Sequence, residues 1–445
     1  MATTSDPQLA GARRAVVWPL GDDPVAHAGA RVTSPSAVGV GDLRAANAAA
    51  VLAAVRSADR PPRLAALAEA TKLSRPTVEV LVEDLVGCGL IEEVAAAPAQ
   101  GLRSPGRPAR RFRFQPRAGF VVGVDVRAHS ITACLADLDG RLLTVKRRAV
   151  RAGLTGRTRA GAVTATVRDA MEQAGVAAGR VCAATIGTPG LVERGNARIR
   201  YVDHMKTWAE VDIVGVVSES LGCPVAVEND ANLAALGEHW RGVGTATTEM
   251  LFILLGERLG AGIITGGRLL RGHHGAAGEI GFPGRSTAEG PGLGPLAGDR
   301  GGAAGPGRAR PQAGDREGSD GPGRAQRSAT SAAVIAAAAD GDADAVGVLE
   351  SAGRRLAEGI APILLALDPA VVVLGTSLFP EPRLAPAAEL LRGAAERRAA
   401  GLLVDPPEWR LSVLGDEAIL TGAVRFALSA VDRILHTKPT SLFDA

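Results

Sequence analysis

The chain has 445 residues, a formal net charge of +3 at pH 7 and four cysteines. This length exceeds what one ordinary hydrophobic core organises, so we expect two or three domains. The cysteines lack CxxC spacing and lie mostly in apolar runs, which is typical of a reduced, cytoplasmic protein and argues against a disulfide scaffold. The N-terminal apolar run is too short for a membrane span or a signal peptide, so we expect neither export nor a membrane segment.

Residues 1–40 form a predicted tail. They are rich in Ala, Gly, Pro, Ser and Asp and show no sustained hydrophobic period. A segment of this composition buries little apolar surface, so we expect it to be disordered.

Three short helices are predicted between residues 41 and 87. Apolar residues at helical spacing indicate a first helix that ends before a Pro-Pro pair, and a short second helix follows. A third helix covers about residues 75–87, with Ser74 as its N-cap. Two helices joined by a tight turn are typical of a helix-turn-helix, whose second helix enters the major groove of DNA. We therefore predict DNA contacts from Ser74, Arg75 and Thr77.

A short strand is predicted over residues 88–94, and an arginine-rich segment follows it. Between Leu102 and Arg117 there are six arginines and no acidic residue, and Phe112 and Phe114 alternate with arginines. This alternation indicates a strand with one apolar and one basic face, as in the wing of a winged helix-turn-helix. A basic hairpin that contacts protein, or a solvated basic face, is the alternative; helix and wing together favour a DNA-binding domain over residues 41–117. The wing residues predicted to contact DNA are Arg103, Arg107, Arg110, Arg111 and Arg113.

The rest of the chain, residues 118–445, has the pattern of an α/β domain. Strand-like apolar runs alternate with helical segments, except over residues 284–328. That stretch consists mainly of Gly, Pro, Arg, Ala and Asp, so we expect a disordered insertion there.

The stretch from Pro224 to Glu238 carries the most distinctive chemistry. A β-branched run ends in Glu228, Asn229 and Asp230 and passes directly into an Ala/Leu-rich helical segment. Ligands of α/β folds bind at such strand tips. Asp230 has the chemistry of a general base for a hydroxyl, and Asn229 that of a second hydroxyl partner. The alternative is that either residue only caps the following helix.

The chain resembles the ROK family, which includes sugar-responsive repressors related to bacterial glucokinases. The resemblance covers about residues 42–435 and implies a winged helix-turn-helix followed by a two-lobed actin-like, ribonuclease-H-like ATPase fold with sugar in the cleft. The motifs that carry it are GRPAR at 106–110, GVDV at 123–126, DLDG at 137–140, ENDANLAALGE at 228–238, GAGIITGGRLLRG at 260–272 and GAAGEIG at 275–281.

The chain departs from the family kinases at both phosphate-binding loops. Where those kinases carry Gly-Gly-Thr, this chain has Arg127, Ala128 and His129. The second loop contains Glu257, whose charge opposes a triphosphate. We therefore predict no kinase activity, no catalytic residue and no cofactor, with Asp230 as a vestigial base position.

The resemblance also implies a structural zinc site, but the residues expected to bind the zinc are missing from this sequence. Phe282 replaces the expected histidine, and the chain has no cysteine after it, so we predict no metal site. The family's sugar contacts transfer to Asn229, Asp230 and Glu279, with a backbone contact near residues 187–190. The ligand is left open between a sugar, a phosphosugar, another metabolite and none.

The resulting hypothesis is a DNA-binding transcriptional regulator, usually a repressor, controlled by a carbohydrate or related effector. A homodimer or dimer of dimers predicts an inverted-repeat operator in double-stranded DNA. One alternative is a sugar kinase with an added DNA-binding head. The other is a constitutive DNA binder whose sugar pocket has decayed.

Overall fold

The computed structural model describes residues 40–94, 110–193, 198–202, 205, 207–256, 259–281 and 322–443. The helices are α1 (Val40–Arg56), α2 (Leu64–Thr71), α3 (Arg75–Gly87), α4 (Gly156–Ala174), α5 (Ile213–Leu221), α6 (Asp230–Arg241), α7 (Pro322–Ala339), α8 (Ala343–Leu367), α9 (Ala385–Ala400) and α10 (Ala418–Thr437). The strands are β1 (Ile91–Val94), β2 (Arg111–Phe114), β3 (Phe120–Val126), β4 (Ser130–Asp137), β5 (Leu142–Ala149), β6 (Val181–Thr188), β7 (Leu191–Val192), β8 (Ile199–Tyr201), β9 (Val225–Asn229), β10 (Met250–Leu255), β11 (Leu259–Thr265), β12 (Arg268–Leu269), β13 (Val371–Leu374) and β14 (Glu408–Leu411).

Several predicted features lie outside the described residues. They are the tail up to residue 39, Arg103, Arg107, Glu257, Phe282 and the insertion from 284 to 321. At the end of the insertion the structure differs from the prediction, since α7 already begins at Pro322.

The N-terminal part is a three-helix unit with a two-stranded hairpin. Ser74 caps α3 as predicted, because its hydroxyl accepts a hydrogen bond from the Thr77 amide. The strand after α3 begins at Ile91, later than the sequence indicated. The reason is that the Cys88 amide still donates to the Asp84 carbonyl, and Gly89 then turns the chain with a φ of 75°.

The first lobe is built on a five-stranded sheet in the order β5-β4-β3-β6-β9. β3 pairs antiparallel with β4, whereas β3, β6 and β9 run parallel. Because parallel strands end at the same edge, Asp125, Thr188 and Asn229 meet at one edge of the sheet.

The second lobe repeats this arrangement. Its sheet has the order β12-β11-β10-β13-β14, with β10, β13 and β14 parallel and β11 and β12 antiparallel. In chain order both sheets therefore follow the pattern 3-2-1-4-5. This duplication is the topology of a two-lobed actin-like fold.

Helix α10 contacts both the first lobe and the N-terminal three-helix unit. It packs against α6 and against β3 and β6 of the first lobe, and its C-terminal half packs against α1. One buried cluster accordingly contains Leu52 of α1, Leu85 of α3, Val121 of β3 and Val431 of α10. The N-terminal three-helix unit is thus continuous with the core of the first lobe.

Within the described residues, no helix is both long enough and apolar enough to cross a lipid bilayer.

Candidate functional site

Asn229 stands at the junction of β9 and α6 and has two roles. Its side-chain oxygen accepts from the Asn232 amide at 3.1 Å, so it caps α6. Its amide nitrogen donates to the Gly190 carbonyl at 3.0 Å and to Glu279 Oε1 at 3.2 Å. The structure thus brings together the strand tip, the loop after β6 and the glycine-rich loop that carries Glu279.

Glu279 is held in place by the glycine before it. Gly278 has a φ of 89°, and a Cβ atom there would overlap the Ala261 carbonyl of β11. The Gly278 carbonyl also accepts from the Ala261 amide at 2.8 Å. Only glycine permits this close approach, which fixes the loop against the second lobe and aims Glu279 at Asn229.

Glu228 is a buried carboxylate that links both lobes. Its Oε1 accepts from the Asn229 amide at 2.9 Å and from Asn232 Nδ2 at 3.0 Å. Its Oε2 accepts from Arg271 Nε at 2.7 Å. The sequence analysis did not assign Arg271, although the residue lies in one of the recognised motifs.

Asp230 begins α6 and lies among other carboxylates. Burial first, and then the charges of Asp125 and Glu279, together raise the pKa of Asp230 to about 7, against the hydrogen bond from the Ala231 amide and the charge of Arg127. An acid of this kind changes its protonation near neutral pH, so it is able to accept or donate a hydrogen bond to a hydroxyl.

Arg127 occupies the first phosphate loop. Its Nε donates to Asp125 Oδ2 at 2.7 Å, and its Nη1 lies 3.3 Å from Asp416 Oδ1. Burial raises the pKa of the Asp125 carboxyl, and the Arg127 charge opposes this shift. Within the described residues the other oxygen of Asp125 has no hydrogen-bond partner. An ion-paired guanidinium therefore lies at the carboxyl end of β3.

A second arginine fixes this loop from behind. Arg159 is fully buried, and its Nη1 donates to the carbonyls of Arg127 at 2.8 Å and Ala128 at 3.2 Å. Its Nη2 donates to the Ala152 carbonyl at 3.1 Å. Burial lowers the pKa of Arg159. No pattern in the sequence indicates this role, because a lone arginine in a helix is usually exposed.

The predicted backbone contact near residues 187–190 lies against the same site. Trp208 is fully buried and its Nε1 donates to Thr188 Oγ1 at 2.9 Å. Gly190 has a φ of 94°, and a Cβ atom there would overlap the Tyr201 carbonyl. The loop is therefore shaped by β8 and presents its Gly190 carbonyl to Asn229.

The predicted DNA-reading residues lie at the exposed start of α3. Arg75 and Thr77 are both exposed. The Ser74 hydroxyl lies 2.7 Å from the Thr77 hydroxyl, so both side chains also belong to the helix cap.

The wing arginines have acidic partners that the sequence analysis did not anticipate. The hairpin register places Glu92 opposite Arg113, and the two side chains form an ion pair. Arg110 pairs with Glu93 and with Glu83 of α3, at 2.7 Å in each case. A further arginine, Arg111, donates to the Pro61 carbonyl at 2.8 Å. The acids come from β1 and from α3, which lie outside the arginine-rich stretch of residues 102–117.

No group of three or more His, Cys, Asp and Glu side chains is placed to hold a metal ion among the described residues. His273 and His274 contact each other edge to face, with ring centroids 4.4 Å apart.

Relatives of known name match parts of the chain. A putative xylose repressor of Caldicellulosiruptor sp. is 26% identical over 217 residues, which is 49% of this chain and 53% of that protein. The chain thus spans about half the length of the curated relatives it matches first.

Solved structures cover more of the chain. A ROK family transcriptional regulator, described as a homologue of the E. coli MLC protein, superposes with a TM-score of 0.63 over 91% of this chain and 100% of that one, at 21% identity. A ROK family glucokinase from Streptomyces griseus in complex with glucose and AMPPNP gives 0.53 over 69% and 99%, at 26% identity. These likenesses confirm the predicted fold.

Two family patterns match the sequence itself. The IclR helix-turn-helix domain matches residues 45–95, and the ROK family matches residues 121–430, which is more than half of the chain. The predicted resemblance is therefore confirmed: the chain belongs to the ROK family and carries a helix-turn-helix domain ahead of its two-lobed ROK domain.

Proposed function

We propose that the protein is a DNA-binding transcriptional repressor that responds to an uncharged sugar in the cleft between its lobes. The observation that carries this proposal is the constellation of Asn229, Gly190 and Glu279 in a chain that also holds a helix-turn-helix. Relatives named xylose repressor support the same combination. A chromosomal DNA partner implies that the protein acts in the cytoplasm.

The charge of the cleft supports an uncharged ligand. Asp230, Glu279 and Asp125 face this region, and the Arg127 guanidinium is already shared between Asp125 and Asp416. Carboxylates and amides suit hydroxyl donors, whereas a phosphate would meet like charge from Asp230 and Glu279. This favours a neutral sugar over a phosphosugar.

The DNA contacts are assigned to two kinds of residue. Arg75 and Thr77, exposed at the start of α3, would meet base edges. The wing arginines would exchange their acidic partners for phosphates and add affinity. A homodimer would bind an inverted repeat, because two-fold symmetry in the protein requires it in the operator.

Two measurements test the proposal. The operator is selected from random duplexes and footprinted on the protein's own upstream region, and operator binding is then titrated with D-xylose, D-glucose, aminosugars and their phosphates. We expect one protected inverted repeat and release by a neutral sugar. Full operator binding by Arg75→Ala and Thr77→Ala would contradict the DNA assignment, and no calorimetric heat with any sugar would favour a constitutive binder.

A sugar kinase with a DNA-binding head is the second candidate. It is favoured by Asp230, which is retained with a pKa of about 7, and by the likeness to a glucokinase structure. Arg127 opposes it, because its guanidinium and the fixed Ala128 carbonyl take the place of a phosphate cradle. ATP turnover with the same sugars, abolished by Asp230→Asn, would establish the kinase instead.

A further inference from the structure

Helix α10 has one end at the cleft and the other in the DNA-binding unit. Asp416, two residues before the helix, pairs with Arg127. Val431 and Leu435, near its other end, lie in the buried cluster that contains Leu52 of α1. With 20 residues the helix is about 30 Å long, so it reaches from the cleft to the DNA-binding unit as one rigid element.

Arg56 anchors the DNA-binding end. Its Nη1 lies 3.4 Å from Asp432 of α10, and its Nη2 lies 3.6 Å from Asp139 in the turn between β4 and β5. Its guanidinium carbon also lies 4.6 Å from the centre of the Phe114 ring in the wing. One side chain of α1 therefore touches α10, the first lobe and the wing.

The N-terminal part of α10 is locked to α6, which begins at the predicted ligand-binding strand tip. A Cβ atom on Gly422 of α10 would overlap the Leu233 carbonyl of α6. A Cβ atom on Gly237 of α6 would overlap the Ala418 carbonyl of α10. Backbones in such close contact leave no room to slide, so the two helices move together.

The cleft end is held through Arg127. Asp125 is buried, and a buried carboxylate requires a paired cation. Arg127 meets that need and is thereby fixed, and its second nitrogen then holds Asp416 at the start of α10. Asp230, a predicted ligand-binding residue, lies close enough to this ion pair for the charges of Asp125 and Arg127 to shift its pKa.

We propose that α10 couples ligand binding in the cleft to the DNA-binding unit. Arg127 and Arg56 are the positioning residues at its two ends. This inference rests on the proposed function for its purpose, since it describes how sugar binding would alter operator affinity. The inference implies that a change at Asp416 also affects α1. The distance along the helix from Asp416 to Asp432, which contacts α1, is about 24 Å.

The test is amide hydrogen exchange on the full chain. Asp416→Asn removes the bridge at the cleft end while leaving Asp125 paired with Arg127. The matched control is Asp169→Asn, which removes the 2.7 Å ion pair with Arg148 on the first lobe, a pair of similar exposure. Asp416→Glu, which retains the charge, serves as the rescue.

We expect Asp416→Asn to raise exchange in residues 40–56 about fivefold or more, with no such effect from Asp169→Asn and recovery in Asp416→Glu. Exchange that changes only around residues 123–130 and 415–420 would overturn the proposal. Uniform acceleration that includes α8 would also overturn it, because it reports global destabilisation. Since this readout needs neither operator nor sugar, its outcome is separate from failure of the proposed function.

The second measurement in this test is the affinity of the same variants for the operator. Asp416→Asn should change the dissociation constant for the selected operator about fivefold or more, and Asp169→Asn should leave it unchanged. Altered exchange with unchanged operator affinity would show that α10 does not control DNA binding.

Discussion

The side-chain amide of Asn229 lies 3.2 Å from the carboxylate of Glu279, although 50 residues separate them in the chain. The same amide bonds the Gly190 carbonyl, and the other end of the side chain caps α6. Asn229 therefore combines the two roles that the sequence left as alternatives, helix capping and a place in the ligand site.

Asn229→Ser separates these roles. Serine is a good N-cap, so the free energy of unfolding should stay close to that of the wild type. Its side chain is too short, however, to donate hydrogen bonds to Glu279 and to the Gly190 carbonyl. We expect sugar binding to be lost by calorimetry while urea unfolding is little changed. Asn229→Ala should lose both the binding and about 1 kcal/mol of stability. Normal sugar affinity in Asn229→Ser would reduce Asn229 to a cap.

Asp230 predicts a specific dependence of stability on pH. Its pKa is about 7 in the folded chain, against an ordinary value of 3.8, so between these values the folded state binds more protons than the unfolded state. Its contribution to stability is therefore complete below the lower value and is lost as pH rises through about 7. Asp230→Asn lacks this change, so its stability relative to the wild type should rise across that window, by at most about 4 kcal/mol. Denaturant unfolding at a series of pH values measures the difference, and parallel curves would contradict it.

The protonation of Asp230 should also appear in sugar binding. An ionised carboxylate is the stronger acceptor for a hydroxyl, so affinity should increase from about pH 6 to about pH 8. Asp230→Asn should remove this dependence. Calorimetry with a neutral sugar that binds the wild type provides the measurement.

The start of α3 and the wing should differ in their effects on DNA binding. Arg75→Ala should cost about 1–3 kcal/mol on the selected operator and relax its base preference. Arg113→Ala should weaken all duplexes alike and lower the slope of log affinity against log salt by about 0.9. Fluorescence anisotropy at several salt concentrations distinguishes these outcomes.

The acid opposite Arg113 provides the matched variant. Glu92→Gln frees the arginine from its ion pair, so affinity for any duplex should increase a few-fold. Weaker binding by this variant would mean that Glu92 orients Arg113 for DNA.

The crossing of α6 and α10 predicts a sharp contrast between two glycine substitutions. Gly422→Ala would drive a methyl group into the Leu233 carbonyl and should destabilise the fold by about 2–3 kcal/mol. Gly161 lies in α4 with no atom within 4 Å of an added Cβ, so Gly161→Ala should stabilise by about 0.5–1 kcal/mol. Thermal unfolding of both variants checks the prediction, and equal melting temperatures would contradict it.

Much of the fold was predictable from short-range patterns. The bounds of α3 and its Ser74 cap follow from apolar spacing and cap chemistry, and β3 and β4 follow from apolar runs. The beginning of β1 was placed too early, because the sequence did not show that Cys88 still belongs to the helix end. The acidic partners of Arg110 and Arg113 were not predictable in this way, because they lie on β1 and α3 and depend on the hairpin register.

The sequence by itself determined which segments form helices and strands, and it placed Asn229 and Asp230 at a strand tip, because periodicity and capping depend on residues close in the chain. Only the tertiary structure decided that Glu279 faces Asn229, that Arg127 joins Asp125 to Asp416 and that Arg56 meets Asp432. These pairs depend on strand order, register and helix crossing. Such features arise when distant segments bury their apolar faces together, and no local pattern encodes them.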